Sequence, residues 1–398
     1  MTPEEHDPIL WLNDEPEQPE QAEDTLPELP ETNRRARAKK KPSKVAGWKI
    51  AVSAIMTVLG VAVICVAVLL QSAAGLLAAP TYVNQDDDPV DPSVIEKDEV
   101  PDYTPEDLST LEVRGNNEYV TNYLLVGCDA RRSGRGLADT NIILSINDAT
   151  KTIKMVSIMR DTWVTLPDSG YQTKINAAYS YGGFEGLLGT VESTFCLDID
   201  QAIRVDFTAF QSAIDALGGV DIFVDARAAR CIPKVDPGDP DIWAVKSGER
   251  DDWYTLIREP IGTTEGVYHL EGFQALGFAR LRKIYPDSDY TRTQNQRRLL
   301  ATLIETAKAN PSKIIGALGA VLQKVTLYRI TKGDILDYVY NVSDYMDYTI
   351  ESDFTLQYRN STSSGGASIL LLTDHENQVK QLHEYLYATQ REEPKTEE

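Results

Sequence analysis

The chain has 398 residues, enough to form a large folded core with additional segments at its ends. Its formal net charge is −22 at pH 7, so the composition argues against a nucleic-acid-binding protein. The acidic residues are unevenly distributed, which indicates that the chain is divided into segments of different kinds.

The N-terminal region predicts a cytoplasmic tail followed by a membrane anchor. Residues 1–32 are rich in Glu, Asp and Pro and contain no Lys or Arg, a composition typical of disorder. A basic block at 34–44 precedes residues 50–70, which are uncharged and long enough to span a bilayer as a helix. Basic flanking residues stay on the cytoplasmic side. We therefore predict a disordered cytoplasmic tail at 1–47 and one transmembrane signal anchor within 48–79; a cleaved signal peptide is the alternative.

The remainder of the chain is predicted to be extracellular. Residues 80–118 are acidic and contain Pro, which is typical of an external linker. A folded domain is predicted for residues 119–390 and a disordered tail for residues 391–398. Cys128, Cys196 and Cys231 lie in the extracellular part, with spacings that fit no metal site, and their odd number leaves open whether two of them form a disulfide.

Three β-rich runs open the predicted domain, at 123–126, 141–146 and 153–158, with a tight connection between the last two. Charged residues stand where these strands end: Asp129, Arg131, Asp139, Arg160 and Asp161. The sheet is therefore predicted to bring carboxylates and guanidiniums to one edge. Guanidiniums bind phosphate oxygens bidentately, and carboxylates beside a phosphate suit Mg²⁺. Salt bridges between strand ends are the alternative interpretation.

Strand-like and helix-like patterns then alternate, which predicts an α/β fold in which a sheet has helices on both faces. Helices are predicted at 184–196, 207–217, 268–282, 291–310, 311–325, 332–344 and 374–388. Further strands are predicted at 202–205, 220–224, 354–358 and 369–372. Residues 226–264 form a long, charged, irregular insertion, which we expect to flank the active cleft.

A second charged stretch repeats the pattern of the strand ends. Arg280 and Arg282 close the helix predicted at 268–282, and Asp289 and Arg292 follow a Pro-containing turn. Side chains two positions apart do not share a helix face, so both arginines reach one ligand only if the helix ends there. The alternative is a solvated helix C-terminus, where the helix dipole favours Arg.

Five motifs, in this order, resemble the catalytic domain of the LytR–CpsA–Psr (LCP) family of cell-wall phosphotransferases. They are G-x-D-x-R at 127–131, a looser G-R-x-x-D-T at 134–140, S-I-x-R-D-T at 157–162, K-I-N-A-A-Y at 174–179 and A-R-x-R…D-x-D-[FY]-x-R at 279–292. The resemblance covers about residues 122–308. It implies an LCP-type α-β-α fold with a central mixed β-sheet flanked by helices on both faces.

The resemblance also implies a reaction and a set of site residues. The donor would be a polyprenyl-diphosphate-linked glycan such as teichoic acid or capsule, the acceptor peptidoglycan, and the cofactor Mg²⁺ (or Mn²⁺), at the surface of the membrane lipid. Matching positions assign the metal to Asp129 and Asp139 and catalysis to Asp129, Arg160 and Asp289. They assign the diphosphate to Arg131, Arg160, Arg280, Arg282, Arg292 and Gln296.

An apolar tunnel for the polyprenyl chain is implied as well. Its candidate lining is the apolar faces of residues 184–195, 207–217 and 302–322, for which ordinary core packing is the alternative. The chain departs from the family pattern at Asn295, where many members carry a second arginine, and Arg297 is a candidate substitute. Two rival functions remain: a non-catalytic polyprenyl-phosphate-binding wall-assembly protein, and a transcriptional attenuator supported by the basic block at 34–44.

Overall fold

The computed structural model describes residues 80–83, 98–101, 103–128, 136–199, 201–236 and 259–389. The strands in these ranges are β1 (Thr81–Val83), β2 (Val120–Cys128), β3 (Ala138–Asn147), β4 (Thr152–Ile158), β5 (Trp163–Thr165), β6 (Gln172–Lys174), β7 (Gln201–Val205), β8 (Val220–Val224), β9 (Gly266–Leu270), β10 (Val325–Tyr328), β11 (Thr349–Glu351), β12 (Tyr358–Thr362) and β13 (Ser368–Leu372). The helices are α1 (Ile175–Phe195), α2 (Phe207–Leu217), α3 (Ala226–Ala229), α4 (Gly272–Arg280), α5 (Asp289–Ala309), α6 (Pro311–Leu322), α7 (Lys332–Tyr340) and α8 (His375–Leu386), with a 3₁₀ turn at Asp344–Asp347.

A mixed sheet forms the centre of the domain, and its described strands follow the order β1-β10-β7-β2-β3-β4-β11. The three β-rich runs predicted first form its middle, with β2 antiparallel to β3 and β3 antiparallel to β4. β7 lies parallel to β2, and β11 lies parallel to β4. The predicted α/β fold, a central mixed sheet flanked by helices, is confirmed.

The two faces of this sheet are buried to different extents. On the face that packs against α1 and α8, here called the closed face, Leu124, Val126 and Ile143 are fully buried. Successive residues of a strand point to opposite faces, so Leu125 and Leu144 lie on the other face, here called the open face. Both are only half-buried although they lie in the middle of the sheet. The open face is therefore incompletely covered at Leu125 and Leu144, whereas Ile142 and Met155 on the same face are at most 2% exposed.

Part of the open face is covered by α2, α6 and α7. Residues of these helices share one apolar cluster with the outward-facing positions of β7 and β10, among them Leu322 and Leu327. Part of the apolar surface of the helices predicted at 207–217 and 311–325 therefore belongs to the hydrophobic core, the alternative to lining a tunnel. The helix predicted at 184–196 packs on the closed face, where Leu187, Leu188 and Val191 are at most 2% exposed, so it does not line a tunnel on the open face.

The prediction of one helix over 268–282 was wrong in its first part. Gly266–Leu270 forms β9, which pairs antiparallel with β8 outside the main sheet. Its burial alternates along the strand, which is the period-two pattern of a strand rather than the 3.6-residue period of a helix. α4 begins at Gly272 because Glu271 and Gln274 form a reciprocal capping box there.

The helix predicted at 184–196 also begins earlier than expected. α1 starts at Ile175 and passes through Gly183, which has φ 58° and ψ −147°. Glycine adopts this conformation without the steric cost that a Cβ would impose. The predicted start therefore marks a kink inside a longer helix whose first turn belongs to the K-I-N-A-A-Y motif.

The predicted linker at 80–118 is partly built into the domain. β1 pairs parallel with β10 at the edge of the main sheet, and Val100 packs with Trp163, Ile369 and Leu371. The predicted boundary at 119 therefore does not separate a linker from the domain in the described ranges. Cys128, Cys196 and Cys231 are buried, and no two of them form a disulfide with each other.

The predicted cytoplasmic tail at 1–47 and the anchor at 48–79 lie outside the described residues. The tail at 391–398 and most of the insertion at 226–264 lie outside them too. Within the described ranges, no helix is both long enough and apolar enough to cross a bilayer.

Two imidazoles attach α8 to the end of α1. His375 Nε2 lies 2.7 Å from the carbonyl oxygen of Thr194, and His383 Nε2 lies 2.9 Å from that of Phe195. Since a carbonyl oxygen only accepts hydrogen bonds, both rings carry a proton on Nε2. Burial lowers the pKa of both histidines, so both rings are neutral in the folded protein at neutral pH.

We expect the free energy of unfolding to fall as the pH drops from 7.5 to 5. Below the ordinary histidine pKa the unfolded chain takes up protons at these positions, whereas the folded chain does not until lower pH, so stability is lost with acidification. Urea unfolding at a series of pH values measures this dependence. The double variant His375→Gln/His383→Gln should show a flatter dependence than the wild type. Equal slopes for the two proteins would contradict the assignment.

Candidate active site

The candidate site is built where β3 begins and β4 ends. Asn141 pairs with Ile158 across these antiparallel strands, so Asp139 and Arg160, two positions beyond each, are brought together. Arg160 Nη1 donates a hydrogen bond to Asp139 Oδ1 at 3.1 Å. Asn176, in the first turn of α1, donates to the same oxygen at 3.4 Å. Three of the five motifs therefore meet at one carboxylate.

A second carboxylate, Asp289 at the start of α5, is surrounded by guanidiniums. Arg282 Nη2 lies 2.5 Å from its Oδ2, and Arg292 Nη2 lies 2.7 Å from its Oδ1. Arg160 Nε lies 3.9 Å from Oδ2. The side chain of Asp289 is 12% exposed. The fold thus brings together three arginines from the end of β4, the segment after α4 and the first turn of α5.

These guanidiniums have fewer hydrogen-bond acceptors than donors. The Nε atoms of Arg160, Arg282 and Arg292 are buried and have no hydrogen-bond partner among the described residues. Arg292 Nη2 forms a close ion pair with Asp289, but its N–H is not aligned for a hydrogen bond. Leaving buried donors unpaired costs free energy. The arrangement is therefore typical of a site that binds an additional anion.

Burial and neighbouring charge act differently on two of the arginines. Burial lowers the pKa of Arg292 to about 10, and Asp289 offsets this effect only in part. Burial also acts to lower the pKa of Arg160, but the carboxylates of Asp139, Asp289 and Asp161 outweigh it and raise that pKa above its ordinary value. Both guanidiniums are positively charged at neutral pH.

Asp161 belongs to this network, although the sequence analysis did not name it as a site residue. Its Oδ1 lies 2.7 Å from Lys174 Nζ, and its Oδ2 lies 3.6 Å from Arg160 Nε. Arg160 is therefore held between Asp161 and Asp139. The sequence could have indicated Asp161 as a site residue, because it directly follows Arg160 in the S-I-x-R-D-T motif.

Arg280 and Gln296 make other contacts. α4 ends at Arg280 and Leu281 is extended, so the predicted helix end is confirmed. The guanidinium of Arg280 lies 4.4 Å from the ring centroid of Phe207, a cation–π contact. Gln296 Nε2 donates to the carbonyl oxygen of Ala279 at 3.3 Å, so Gln296 positions the end of α4 that precedes Arg282.

Arg297 does not substitute for the arginine expected at Asn295. Arg297 is five positions beyond Arg292, a rotation of about 140° around the helix, and its Nε donates to the carbonyl oxygen of Ser352 at 3.1 Å. Asn295 is 3% exposed. Its Oδ1 accepts from Arg298 Nη1 at 3.3 Å. Arg297 therefore points away from the cluster around Asp289.

Asp129 and Arg131 lie in 129–135, outside the described residues, so their assigned roles stay predictions. Within the part of the chain that the structure describes, no three His, Cys, Asp or Glu side chains are grouped so as to hold a metal ion.

Replacing Arg282 with alanine is expected to weaken the binding of inorganic pyrophosphate by roughly tenfold, the loss typical of a charged hydrogen bond. Arg280→Ala is expected to have a smaller effect, because the Arg280 guanidinium stacks on Phe207 whereas Arg282 contacts Asp289. Isothermal titration calorimetry on the two variants measures both values. A larger loss for Arg280→Ala would contradict this assignment.

Known proteins share both the sequence pattern and the fold. The chain is 34% identical over 217 residues to the polyisoprenyl-teichoic acid–peptidoglycan teichoic acid transferase TagV of Bacillus subtilis, covering 53% of this chain and 50% of that relative. It is 29% identical over 222 residues to the transferase TagU of Bacillus cereus, covering 56% and 64% of the two chains. The chain thus spans about half to two thirds of the length of these curated relatives.

The crystal structure of TagV of Bacillus subtilis is similar in fold, with a TM-score of 0.51 and 26% identity, covering 68% of this chain and 98% of that one. A family model described as the LytR_cpsA_psr family matches residues 90–384, which contain every described strand of the main sheet except β1. This match includes the clustered arginines and carboxylates of the candidate site. The chain therefore belongs to the LytR_cpsA_psr family.

Proposed function

We propose that this protein is a membrane-anchored, extracellular phosphotransferase that attaches a polyprenyl-diphosphate-linked glycopolymer to peptidoglycan. The observation that carries the proposal is the convergence of Arg160, Arg282 and Arg292 on one carboxylate, with buried Nε–H groups that find no hydrogen-bond acceptor among the described residues. The similarity to TagV and TagU, which are named polyisoprenyl-teichoic acid–peptidoglycan teichoic acid transferases, supports the choice of donor and acceptor.

The three guanidiniums suit the diphosphate of the donor. A diphosphate brings several negative charges and acceptor oxygens, and planar guanidiniums bind such oxygens bidentately. Phosphoryl transfer needs mainly positioning and neutralisation of charge on the transferring group. Both oxygens of Asp289 contact guanidiniums, so we assign Asp289 the role of orienting the arginines rather than accepting a proton.

The carboxylate of Asp139 fits a divalent metal ion. Its Oδ1 accepts from Arg160 and Asn176, which fixes its orientation, while Oδ2 makes no hydrogen bond among the described residues. Mg²⁺ is usually held by one or two carboxylates together with waters and substrate phosphates. We propose that Asp139 and Asp129 hold Mg²⁺ (or Mn²⁺), which would neutralise charge on the diphosphate.

The open face of the sheet suits the polyprenyl chain. Along α5, Leu300 and Ala307 continue the stripe that begins with Arg292 and Gln296, so one side of the helix changes from cationic to apolar. Both are half-buried, as is Leu125 on the open face. Apolar side chains left incompletely covered beside a charged site are typical of a ligand groove.

In the proposed reaction a peptidoglycan hydroxyl attacks the phosphorus that carries the glycan. The bond between that phosphorus and the bridging oxygen breaks, polyprenyl phosphate leaves, and the hydroxyl loses its proton to the medium. The glycan is then joined to peptidoglycan by a phosphodiester. With the anchor predicted at 48–79, the site would work close to the membrane in which the donor resides.

The proposal is tested with the purified full-length chain in detergent micelles, a polyprenyl-diphosphate-linked glycan, peptidoglycan and Mg²⁺. We expect glycan to become covalently bound to peptidoglycan and polyprenyl phosphate to be released, and EDTA to abolish both. Binding of the donor without release of polyprenyl phosphate would favour the rival, a non-catalytic binding protein, and would overturn the proposal.

A further inference from the structure

A separate cavity of about 150 Å³ lies beside the arginine cluster, on the neighbouring stripe of α5. Tyr290, Thr293 and Arg297 line it from the helix. Each stands one position beyond a residue of the adjacent stripe of α5, which contains Asp289 and Arg292 of the candidate site. Ser157 lines it from β4, and Tyr358 from β12. None of these five lining residues belongs to the arginine cluster. The cavity is therefore a neighbouring site to which the proposed reaction assigns no role.

Arg297 places an incompletely paired charge in this cavity. Arg297 is a buried charged residue, with 5% of its surface exposed. Nε donates to the carbonyl oxygen of Ser352, whereas Nη1 and Nη2 make no hydrogen bond among the described residues. Burial lowers the pKa of Arg297, and Tyr385 and Asp353 offset this only in part. The Nη groups of Arg297 are therefore available as donors to a ligand that enters the cavity.

The hydroxyl groups around Arg297 add hydrogen-bonding capacity. Ser157 is 6% exposed, and its buried Oγ has no hydrogen-bond partner among the described residues. Tyr358 Oη accepts from the backbone N–H of Met159 at 3.3 Å. Ser157 Oγ, a hydroxyl, and the free Nη groups of Arg297 can thus donate to one small acceptor group.

The size and charge of the cavity select the class of ligand. Its volume of about 150 Å³ is large enough to admit a small polar group such as a carboxylate. Arg297 is the cationic residue among those that line the cavity, and Asp287, which also lines it, adds a negative charge. A singly charged carboxylate is therefore favoured over a phosphate or diphosphate, and it matches the two free Nη groups bidentately.

We propose that this cavity binds a carboxylate group of the peptidoglycan acceptor and so positions the attacking hydroxyl beside the diphosphate. This proposal rests on the proposed function, because a peptidoglycan acceptor supplies the ligand. Residues of α5 contribute both to this cavity and to the arginine cluster. The helix would therefore hold the acceptor and the donor in a fixed relative position. Arg297 is accordingly a binding and positioning residue, not a member of the diphosphate cluster.

The test uses the full-length chain in micelles and a soluble disaccharide–tetrapeptide fragment of peptidoglycan as the probe. Calorimetric titration compares this fragment with the same fragment after amidation of its carboxylates. We expect amidation to weaken binding by about ten- to hundredfold, as for loss of a charged hydrogen bond. Arg297→Gln should weaken binding of the acidic fragment to a similar extent and remove the difference between the two fragments.

Two further variants separate local from general effects. Arg298→Gln is the matched control, because Arg298 bonds to Asn295 and to the backbone of Phe223 away from the cavity, and it should bind the acidic fragment as the wild type does. Ser157→Ala removes one unpaired hydroxyl and should weaken the same binding without unfolding the protein. If Arg297→Gln melts early, Ser157→Ala decides the outcome.

Failure of this proposal and failure of the proposed function give different results. Equal binding of the acidic and amidated fragments, or wild-type binding by both Arg297→Gln and Ser157→Ala, would overturn the carboxylate site even if glycan transfer to peptidoglycan proceeds. Pyrophosphate affinity should be unchanged in both variants, because neither residue contacts the arginine cluster. Absence of glycan transfer in the wild type would instead overturn the proposed function.

Discussion

Replacing Arg160 with alanine is expected to reduce glycan transfer by about a hundred- to thousandfold, as for removal of one preorganised donor from a transition-state site. Arg160 is the arginine that connects the parts of the site: it bonds to Asp139 and lies near Asp161 and Asp289. Its removal would leave the diphosphate with less neutralisation and Asp139 without its orienting donor. The rate of polyprenyl phosphate release measures the effect.

Two further variants make the Arg160 result interpretable. Arg160→Lys retains the charge but not the planar fork, and should recover only part of the activity. Arg359→Ala changes an exposed arginine on β12 and should transfer glycan at the wild-type rate. An Arg160→Ala protein that is folded and as active as Arg359→Ala would remove Arg160 from the site.

Replacing Asp289 with asparagine is expected to lower the free energy of unfolding by about 3–5 kcal/mol, as when one partner of a buried ion pair is removed. Arg282 and Arg292 would lose their closest counter-charge, and Arg160 a more distant one. Inorganic pyrophosphate should restore much of the loss, because it supplies negative charge to the same guanidiniums. Thermal unfolding with and without pyrophosphate measures both effects.

The matched control for Asp289 lies on the same helix. Glu305→Gln changes an exposed carboxylate that pairs with Lys308 at 2.9 Å, and exposed pairs contribute little to stability. This variant should melt as the wild type does and gain no more from pyrophosphate. If Asp289→Asn also gained no more from pyrophosphate than the wild type, Asp289 would not share its arginines with a diphosphate.

The central strands could be predicted because their signal is local. The runs that form β2, β3 and β4 are rich in apolar and β-branched residues, and charged residues flank them. β10 was missed because only two residues separate it from α6, and its first residue, Val325, was assigned to the end of that helix. β1 was missed because its three residues stand in an acidic segment, and their strand conformation depends on pairing with β10.

Part of the candidate site could be predicted because its charged residues stand at the ends of predicted strands and helices. Asp139, Arg160, Arg282, Asp289 and Arg292 were all named from the sequence, and the fold brings them together. The sequence could not separate Arg282 from Arg280, because that difference depends on where Phe207 lies in the fold. It also offered Arg297 as a substitute in the cluster, whereas the helical rotation of α5 directs Arg297 towards a different cavity.

Because the two sheet faces are buried to different extents, substitutions on them should have different effects. Local opening costs more free energy where many apolar contacts are closed, so backbone amides of α1 and α8 should exchange hydrogen more slowly than those of α5 and α6. Substitutions of residues that pack on the closed face would then act mainly on stability, and so on the amount of folded protein in a cell. If the open face holds the polyprenyl chain as proposed, substitutions against that face would act mainly on which chains bind there.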